Sequence, residues 1–119
     1  MRVLICGSRD YTNRLLITER LCALQDEGYD TLIEGEARGA DTIAKLAGEA
    51  LGMTILPFPA NWDKYGKRAG YLRNQQMLDE GHPDLVVAFY SRPAKSRGTQ
   101  MMVDIARKAC VPVVEYAEH

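Results

Sequence analysis

Three short segments of this sequence combine glycine with side chains that can bind an anion. They contain Gly7, Ser8 and Arg9; Gly35, Gly39 and Asp41; and Gly98 and Thr99. Glycine lacks the Cβ atom that would keep a ligand away from backbone N–H groups. Hydroxyl groups donate hydrogen bonds, and an arginine can bind a phosphate through two N–H groups at once. Together these residue types are those of a phosphate-binding site.

Each of these features also has a purely structural interpretation, since loops between strands and helices need glycine for their turns. Asp41, near a predicted helix start, could cap backbone N–H groups or accept hydrogen bonds from ribose hydroxyls. Arg73 and Asn74 are either an exposed polar pair on a helix or ligand contacts. Gly70 costs about 1 kcal/mol relative to alanine inside a helix, which favours close approach by a ligand or a neighbouring subunit. Trp62 could stack on a base or cover the core.

An alternation of strand and helix patterns positions these segments. Strands are predicted at residues 3–6, 31–34, 53–58, 85–89 and 111–114, and helices at about 13–26, 41–51, 68–80 and 98–109. Irregular segments are predicted at residues 61–66 and 91–97, with a tail at 115–119. This order predicts an α/β fold, a five-stranded parallel sheet with about four helices on its two faces. Because ligands of such sheets lie beyond the carboxyl ends of the strands, the three segments should meet at one rim.

Apolar spacing predicts which side chains enter the core. In the first helix these are Leu15, Leu16, Cys22 and Leu24, and in the last Met101, Met102, Ile105, Ala106 and Ala109. The three cysteines, Cys6, Cys22 and Cys110, lie in apolar runs without metal-binding spacing, so buried reduced thiols are predicted.

Composition narrows the class of protein. A chain of 119 residues predicts one domain spanning residues 1–119. Its net charge of −1 argues against nucleic acid as a partner, although a local basic patch could form from Arg92, Lys95, Arg97, Arg107 and Lys108. Two histidines without clustered ligands predict no metal site. No signal peptide or membrane-spanning run is evident, so a cytoplasmic protein is expected. The GxGxxG and Walker sequences are absent, and neither His82 nor His119 can be placed in a Ser-His-Asp set.

The ordered motifs resemble those of the SLOG superfamily, and most closely its small single-domain YspA-like (cpYpsA-related) branch, which is common in bacteria and phages. The resemblance rests on residues 6–11, residues 35–41, Trp62, residues 69–75 and residues 98–99, and covers nearly the whole chain. It implies a Rossmann-like three-layer fold and a nucleotide or nucleotide-derived ligand. It also implies that the first two glycine segments are ligand loops and that Gly98 and Thr99 form the phosphate-binding turn.

More distant relatives include the Lonely Guy phosphoribohydrolases and the DNA-binding DprA proteins. Lonely Guy enzymes precede their Gly-Thr motif with Pro-Gly-Gly and follow it with two residues and a catalytic glutamate. That glutamate position is Met102 here, and residues 94–97 replace the preceding turn. A methionine cannot stabilise a positively charged sugar or transfer a proton. Asp104 and Glu36 are the candidates to replace this glutamate, and neither lies at the family's position.

Three functions therefore follow as hypotheses. The first is a module that binds a small nucleotide-like ligand at Gly7, Ser8, Arg9, Gly35, Gly39, Asp41, Arg73, Asn74, Gly98 and Thr99, with no further cofactor. The second is a nucleoside monophosphate hydrolase with a displaced carboxylate. The third is a single-stranded DNA binder, which the net charge disfavours. The resemblance also implies that the protein could form a homo-oligomer.

Overall fold

A parallel sheet of five strands organises the computed structural model, which describes residues 1–91 and 95–118. The strands are β1 (Arg2–Gly7), β2 (Thr31–Glu34), β3 (Thr54–Pro57), β4 (Leu85–Ser91) and β5 (Val113–Glu118). The helices are α1 (Arg14–Asp26), α2 (Ala40–Ala50), α3 (Trp62–Tyr65), α4 (Ala69–Gly81) and α5 (Arg97–Lys108), with a 3₁₀ turn at Gly66–Arg68. The strand order is β3-β2-β1-β4-β5. The predicted α/β fold is confirmed.

Apolar side chains on both faces of the sheet hold the helices in place. On one face Val3 and Ile5 of β1 pack with Ile17 of α1 and Ala44 of α2. On the other face alternate residues of the same strand pack with α4 and α5, through Leu4, Cys6, Met77, Met102 and Val103. A strand that is covered on both faces reads as a continuous apolar run, as residues 3–6 do. The result is a three-layer sandwich with β1 at its centre.

The predicted inward face of α1 is confirmed for Leu16 and Leu24, which are partly buried against the core, and wrong for the other two residues. Its buried side chains are Ile17 and Leu21, whereas Leu15 is 69% exposed and Cys22 is also exposed. Apolar residues occur around this helix on several sides, so spacing alone does not identify the side that meets the sheet. The predicted start of the helix is confirmed, since the Asn13 side chain accepts a hydrogen bond from the Leu16 N–H group at 3.1 Å.

The predicted burial of the three cysteines and of the inward residues of α5 is correct only in part. Cys6 is buried as predicted, but Cys22 and Cys110 are exposed free thiols. In α5 the buried residues are Thr99, Met102, Val103 and Ala106, while Ala109 lies beyond the helix end and is exposed. Val103 replaces Ala109 in the core because it lies on the same face as Met102 and Ala106.

Two segments predicted to be irregular are regular. Residues 115–118, predicted as a tail, continue β5 along β4 up to the pairing of Ser91 with Glu118. Tyr116 stacks on Phe89 with ring centroids 5.2 Å apart, which explains why this polar segment joins the sheet. The segment after Asn61 forms the single turn of α3, because the Asn61 side chain accepts a hydrogen bond from the Lys64 N–H group.

The late basic residues do not form one patch in the part of the chain that the structure describes. Lys95 and Arg107 both pair with Glu115, which neutralises them locally. Arg97 begins α5, and Lys108 ends it. The predicted contribution of Arg92 falls on residues 92–94, outside the described residues. No described helix has both the length and the apolarity needed to cross a membrane. Within residues 1–91 and 95–118, no cluster of potential metal ligands is found.

Candidate ligand-binding site

The strand order reverses between β1 and β4, because the chain runs outward from β1 through β2 to β3 and then returns to β4 on the other side. Ligands of open parallel sheets bind beyond the carboxyl ends of the strands at such a point. A cavity of about 190 Å³, here called the inner cavity, lies there. Its walls are the end of β1, the loop after β2, α4 and the first turn of α5, with Cys6 and Met102 among the lining residues.

The predicted rim is therefore present in the structure. Of the ten predicted site residues, seven line the inner cavity: Gly7, Arg9, Asp41, Arg73, Asn74, Gly98 and Thr99. Gly35 lines an adjoining cavity instead. The predicted loops meet although they are far apart in the sequence, because parallel strands end at the same edge of the sheet.

Ser8 and Gly39 line neither cavity and support its walls. The Ser8 carbonyl oxygen accepts hydrogen bonds from the N–H groups of Tyr11 and Ala40. Its hydroxyl oxygen accepts one from the Ser91 N–H group at 3.3 Å. Gly39 has a φ of 78°, and a Cβ atom there would lie 2.3 Å from the Ser8 carbonyl oxygen. These two residues join the loop after β1 to the start of α2 and to β4.

Asp41 is a buried carboxylate that organises the loop after β2. Its carboxylate accepts hydrogen bonds from the N–H groups of Gly35 at 3.1 Å and Ala37 at 3.3 Å. Capping of backbone N–H groups was one of its two predicted roles, but the N–H groups belong to the preceding loop and not to α2, in whose first turn Asp41 lies. Burial raises the pKa of Asp41 to about 6, although the Arg73 guanidinium and the two N–H groups favour its ionised form. At neutral pH the side chain is thus a carboxylate.

Arg73 and Asn74 are not a solvated polar pair. Asn74 is buried and donates a hydrogen bond to the Gly98 carbonyl oxygen at 3.0 Å, which ties α4 to the first turn of α5. The Arg73 Nε group donates to the Asn74 side chain at 3.1 Å, and its Nη1 group donates to the Gly35 carbonyl oxygen. These bonds hold the guanidinium at the junction of α4 with the loop after β2. Burial lowers the pKa of Arg73, and the nearby Asp41 carboxylate opposes that effect.

The first turn of α5 presents backbone to the inner cavity. Ser96 caps the helix by accepting a hydrogen bond from the Thr99 N–H group at 3.2 Å. A Cβ atom added at Gly98 would meet no atom within 4 Å, so the backbone at this position is open. A helix N-terminus carries a partial positive charge and unpaired N–H groups, which favour an anion.

Lys67 and Tyr71 also line the inner cavity, and the sequence predictions missed them. Tyr71 lies three residues before Asn74 in α4, and Lys67 lies in the 3₁₀ turn that precedes this helix. Helical spacing would have identified Tyr71 once Asn74 had been placed in the site. Among the described residues, Lys67, Arg9 and Arg73 are three cationic side chains that line this cavity, against the single carboxylate of Asp41.

A second cavity of about 410 Å³, here called the outer cavity, adjoins the inner one. The two share Arg9, Ala37, Trp62 and Arg73 as lining residues. The Arg9 guanidinium lies 5.7 Å from the centre of the Trp62 ring, within the range of a cation–π interaction. Trp62 is 49% exposed and so does not cover the core, which leaves its ring available to a ligand.

With this geometry established, comparison with known proteins identifies the family. The sequence profile of the YspA, cpYpsA-related SLOG family matches residues 1–65. The chain belongs to this family. It is also 35% identical to the Gene 61 protein of Mycobacterium phage D29 over an alignment 127 positions long. This alignment covers 98% of this chain and 97% of the phage protein. No solved structure matches the chain. Membership of the SLOG family indicates nucleotide-related binding or processing.

The SLOG-family cavity lacks a carboxylate at the Lonely Guy glutamate position. Met102 is fully buried there and lines the inner cavity. Asp104 is exposed and accepts a hydrogen bond from Gln100, so it does not reach the cavity. Glu36 lines the outer cavity and pairs with Lys45 at 3.1 Å. Of the described residues that line the inner cavity, only Asp41 carries a carboxylate, and its Oδ2 atom already accepts hydrogen bonds from two backbone N–H groups.

Glu34 is a buried carboxyl group close to the SLOG-family site, which the sequence predictions missed. It ends β2 and is fully buried, with one oxygen accepting the Glu36 N–H group and Oε1 without a partner in the described structure. Burial, together with the Glu36 carboxyl group, raises the pKa of Glu34 to about 8. At neutral pH this group is therefore mostly protonated.

Replacement of Glu34 by glutamine should make the protein less sensitive to alkaline pH. Because the pKa of Glu34 is raised from 4.5 to about 8, the folded state holds a proton that the unfolded state has lost, and stability falls as pH rises through this window. Between about pH 6.5 and about pH 8.5 we expect the free energy of unfolding of the wild type to fall by about 1 kcal/mol more than that of Glu34→Gln. This value allows for solvent screening near the loop. Urea unfolding at several pH values measures this.

The matched control is Glu19→Gln, which changes an exposed glutamate of α1. It should keep the pH dependence of the wild type. Identical pH profiles for the wild type and Glu34→Gln would show that the Glu34 carboxyl group is ionised in the folded protein at neutral pH.

Proposed function

We propose that this SLOG-family protein binds a nucleotide or nucleotide derivative, with a phosphate group in the inner cavity. The observation that carries the proposal is the meeting of the open first turn of α5 with Lys67, Arg73 and Arg9 around one cavity. Backbone N–H groups at a helix N-terminus together with lysine and arginine are the groups that bind phosphate. The cavity lies at the reversal of strand order, where open parallel sheets bind their ligands.

Aromatic side chains near the same cavity fit the rest of a nucleotide. Trp62 and Tyr71 line the inner cavity, and both are partly exposed, by 49% and 43%. Exposed aromatic rings can stack on a base, and such stacking contributes about 1–3 kcal/mol per base. The floor of the cavity is uncharged, since Met102 is apolar and burial raises the pKa of the Cys6 thiol well above its ordinary range. An uncharged floor does not repel a phosphate.

The arrangement supports binding more than hydrolysis. Cleavage of a glycosidic bond generally requires a carboxylate placed to stabilise the transition state or to transfer a proton. Met102 occupies the place of such a group, and the Oδ2 atom of Asp41 is bound to the N–H groups of Gly35 and Ala37. We therefore propose a binding or sensing module.

Isothermal titration calorimetry with AMP and adenosine tests the proposal. AMP should bind, and adenosine should bind at least about tenfold more weakly because it lacks the charge-assisted hydrogen bonds of the phosphate. Lys67→Ala should weaken AMP binding by about tenfold. A thermal-shift screen that adds ADP-ribose, NAD and cyclic nucleotides extends the test to related ligands.

The control variant is Lys108→Ala, which also removes one lysine charge, but at the end of α5 that lies away from the inner cavity. It should leave the affinity for AMP unchanged. If none of the phosphate-bearing ligands binds, or if adenosine binds as tightly as AMP, the proposed function is wrong.

A further inference from the structure

The outer cavity has one arginine, Arg38, that phosphate binding in the inner cavity does not use. Arg38 lines it together with Arg9 and Arg73, and Arg38 is exposed at the loop after β2. No carboxylate of the described residues lies within ion-pair distance of Arg38 or Arg9. Exposed arginines grouped around a cavity without carboxylate partners form a site for an anion.

The acidic groups near the outer cavity are neutralised in ways that leave this positive charge in place. Glu36 lines the cavity, but its carboxylate pairs with Lys45 at 3.1 Å. Glu34, which precedes Gly35, is buried and mostly protonated at neutral pH. Asp41 faces the inner cavity and not the outer one. The three arginines therefore outnumber the ionised groups that could repel an anion.

Arg9 and Arg73 connect the two cavities. Both residues line the inner and the outer cavity. The Nη1 group of Arg73 donates to the Gly35 carbonyl oxygen at the outer cavity, and its Nη2 atom lies 3.8 Å from the position of a Cβ atom on Gly70, which lines the inner cavity. One guanidinium thus reaches both sides of the shared wall.

We propose that the ligand carries a second phosphoryl group, not adjacent to the first, which binds Arg38 in the outer cavity. The inference rests on the proposed function, since the first phosphate binds in the inner cavity. Arg9 and Arg73 contact both phosphoryl groups across the wall that they share with Trp62. The chemical class of ligand is a nucleotide with two separated phosphates, such as a nucleoside 3′,5′-bisphosphate or a linear dinucleotide.

Calorimetric titration with AMP, ADP and adenosine 3′,5′-bisphosphate tests this inference on the full chain. The bisphosphate should bind about tenfold more tightly than AMP, and ADP should gain much less because its second phosphate lies next to the first. Arg38→Ala should weaken bisphosphate binding by about fivefold or more and leave AMP binding unchanged. Arg38→Lys keeps the charge without the two-pronged geometry, so its affinity for the bisphosphate should lie between those of the wild type and Arg38→Ala. Arg14→Ala, an exposed arginine that lines neither cavity, is the matched control and should change neither affinity.

The outcomes separate this inference from the proposed function. If AMP binds and the bisphosphate binds no more tightly, the outer subsite is wrong while the inner phosphate site stands. If ADP gains as much as the bisphosphate and Arg38→Ala does not reduce the gain, both phosphates lie in the inner cavity and the inference is overturned. If neither AMP nor the bisphosphate binds, the proposed function fails as well.

Discussion

Gly39→Ala is expected to lower the free energy of unfolding by about 3 kcal/mol or more. Gly39 has a φ of 78°, a conformation that costs an alanine about 1–3 kcal/mol. The new Cβ atom would also lie 2.3 Å from the Ser8 carbonyl oxygen. The nearest atoms all belong to the backbone, which cannot rotate away as a side chain could. Relief would require the loop after β1 to move away from α2. Urea unfolding monitored by circular dichroism measures the loss.

Gly98→Ala is the matched variant, because it adds the same methyl group to another glycine of the site. No atom lies within 4 Å of its Cβ position, so we expect the stability to change by less than about 1 kcal/mol. The affinity of Gly98→Ala for AMP should nevertheless fall, since the added methyl group lies over the backbone that we assign to phosphate binding. A stable Gly39→Ala protein would show that the contact between Ser8 and the start of α2 is not tight. Unchanged AMP binding by Gly98→Ala would place the phosphate elsewhere.

The contrast between these two glycines shows what the sequence could and could not predict about the site. Glycine next to hydroxyl and cationic residues at three strand ends correctly predicted one rim. The same pattern could not separate Gly39, which is needed for a backbone contact, from Gly98, which leaves open space. That distinction depends on Ser8, a residue more than thirty positions away from Gly39, and it appears only when the loops pack together.

Asn74 and Glu34 illustrate the same limit for polar side chains. Inside a helix, an asparagine next to an arginine reads equally well as exposed, and its partner, the Gly98 carbonyl oxygen, is 24 residues away in the sequence. A glutamate at a strand end reads as solvated, yet Glu34 is fully buried. Burial of polar groups is decided by long-range contacts, so local spacing does not report it.

The fold was predicted more completely than the site because its signals are local. The apolar runs of β1, β2 and β4 identify strands that are covered on both faces, and glycine marks the end of α2. The failures occur where tertiary contacts compensate for weak local preference. β5 extends through polar residues 115–118 because they pair with β4, and Glu115 binds Lys95 and Arg107. The inward side of α1 depends on Ile17 and Leu21 meeting the sheet, which its evenly scattered apolar residues do not indicate.

Asp41→Ala is expected to lower the free energy of unfolding at pH 7 by about 3 kcal/mol. The substitution leaves the buried N–H group of Gly35 and the partly buried N–H group of Ala37 without an acceptor, and an unpaired buried group costs about 1–3 kcal/mol. It also removes the carboxylate that stabilises the partly buried positive charge of Arg73. The loop after β2 would then lose its shape, and AMP affinity should fall with stability. Asp41→Asn keeps an acceptor oxygen and the side-chain shape, so its loss should be about 1 kcal/mol.

The pH dependence of this loss distinguishes a loop-organising carboxylate from a simple ion pair with Arg73. A pure ion pair would lower the pKa of Asp41, and the difference in stability between the wild type and Asp41→Ala would then grow as pH rises. Burial instead raises the pKa of Asp41 from 3.8 to about 6, so the folded state binds the proton more tightly than the unfolded state does. The wild type therefore loses stability as pH rises from about 4 to about 6, and the difference should shrink by about 2 kcal/mol over this window before it levels off. Urea unfolding of the wild type, Asp41→Ala and Asp41→Asn at one-unit pH intervals decides between the two. A difference that widens with pH would mean that attraction to Arg73 outweighs the cost of burying the carboxylate.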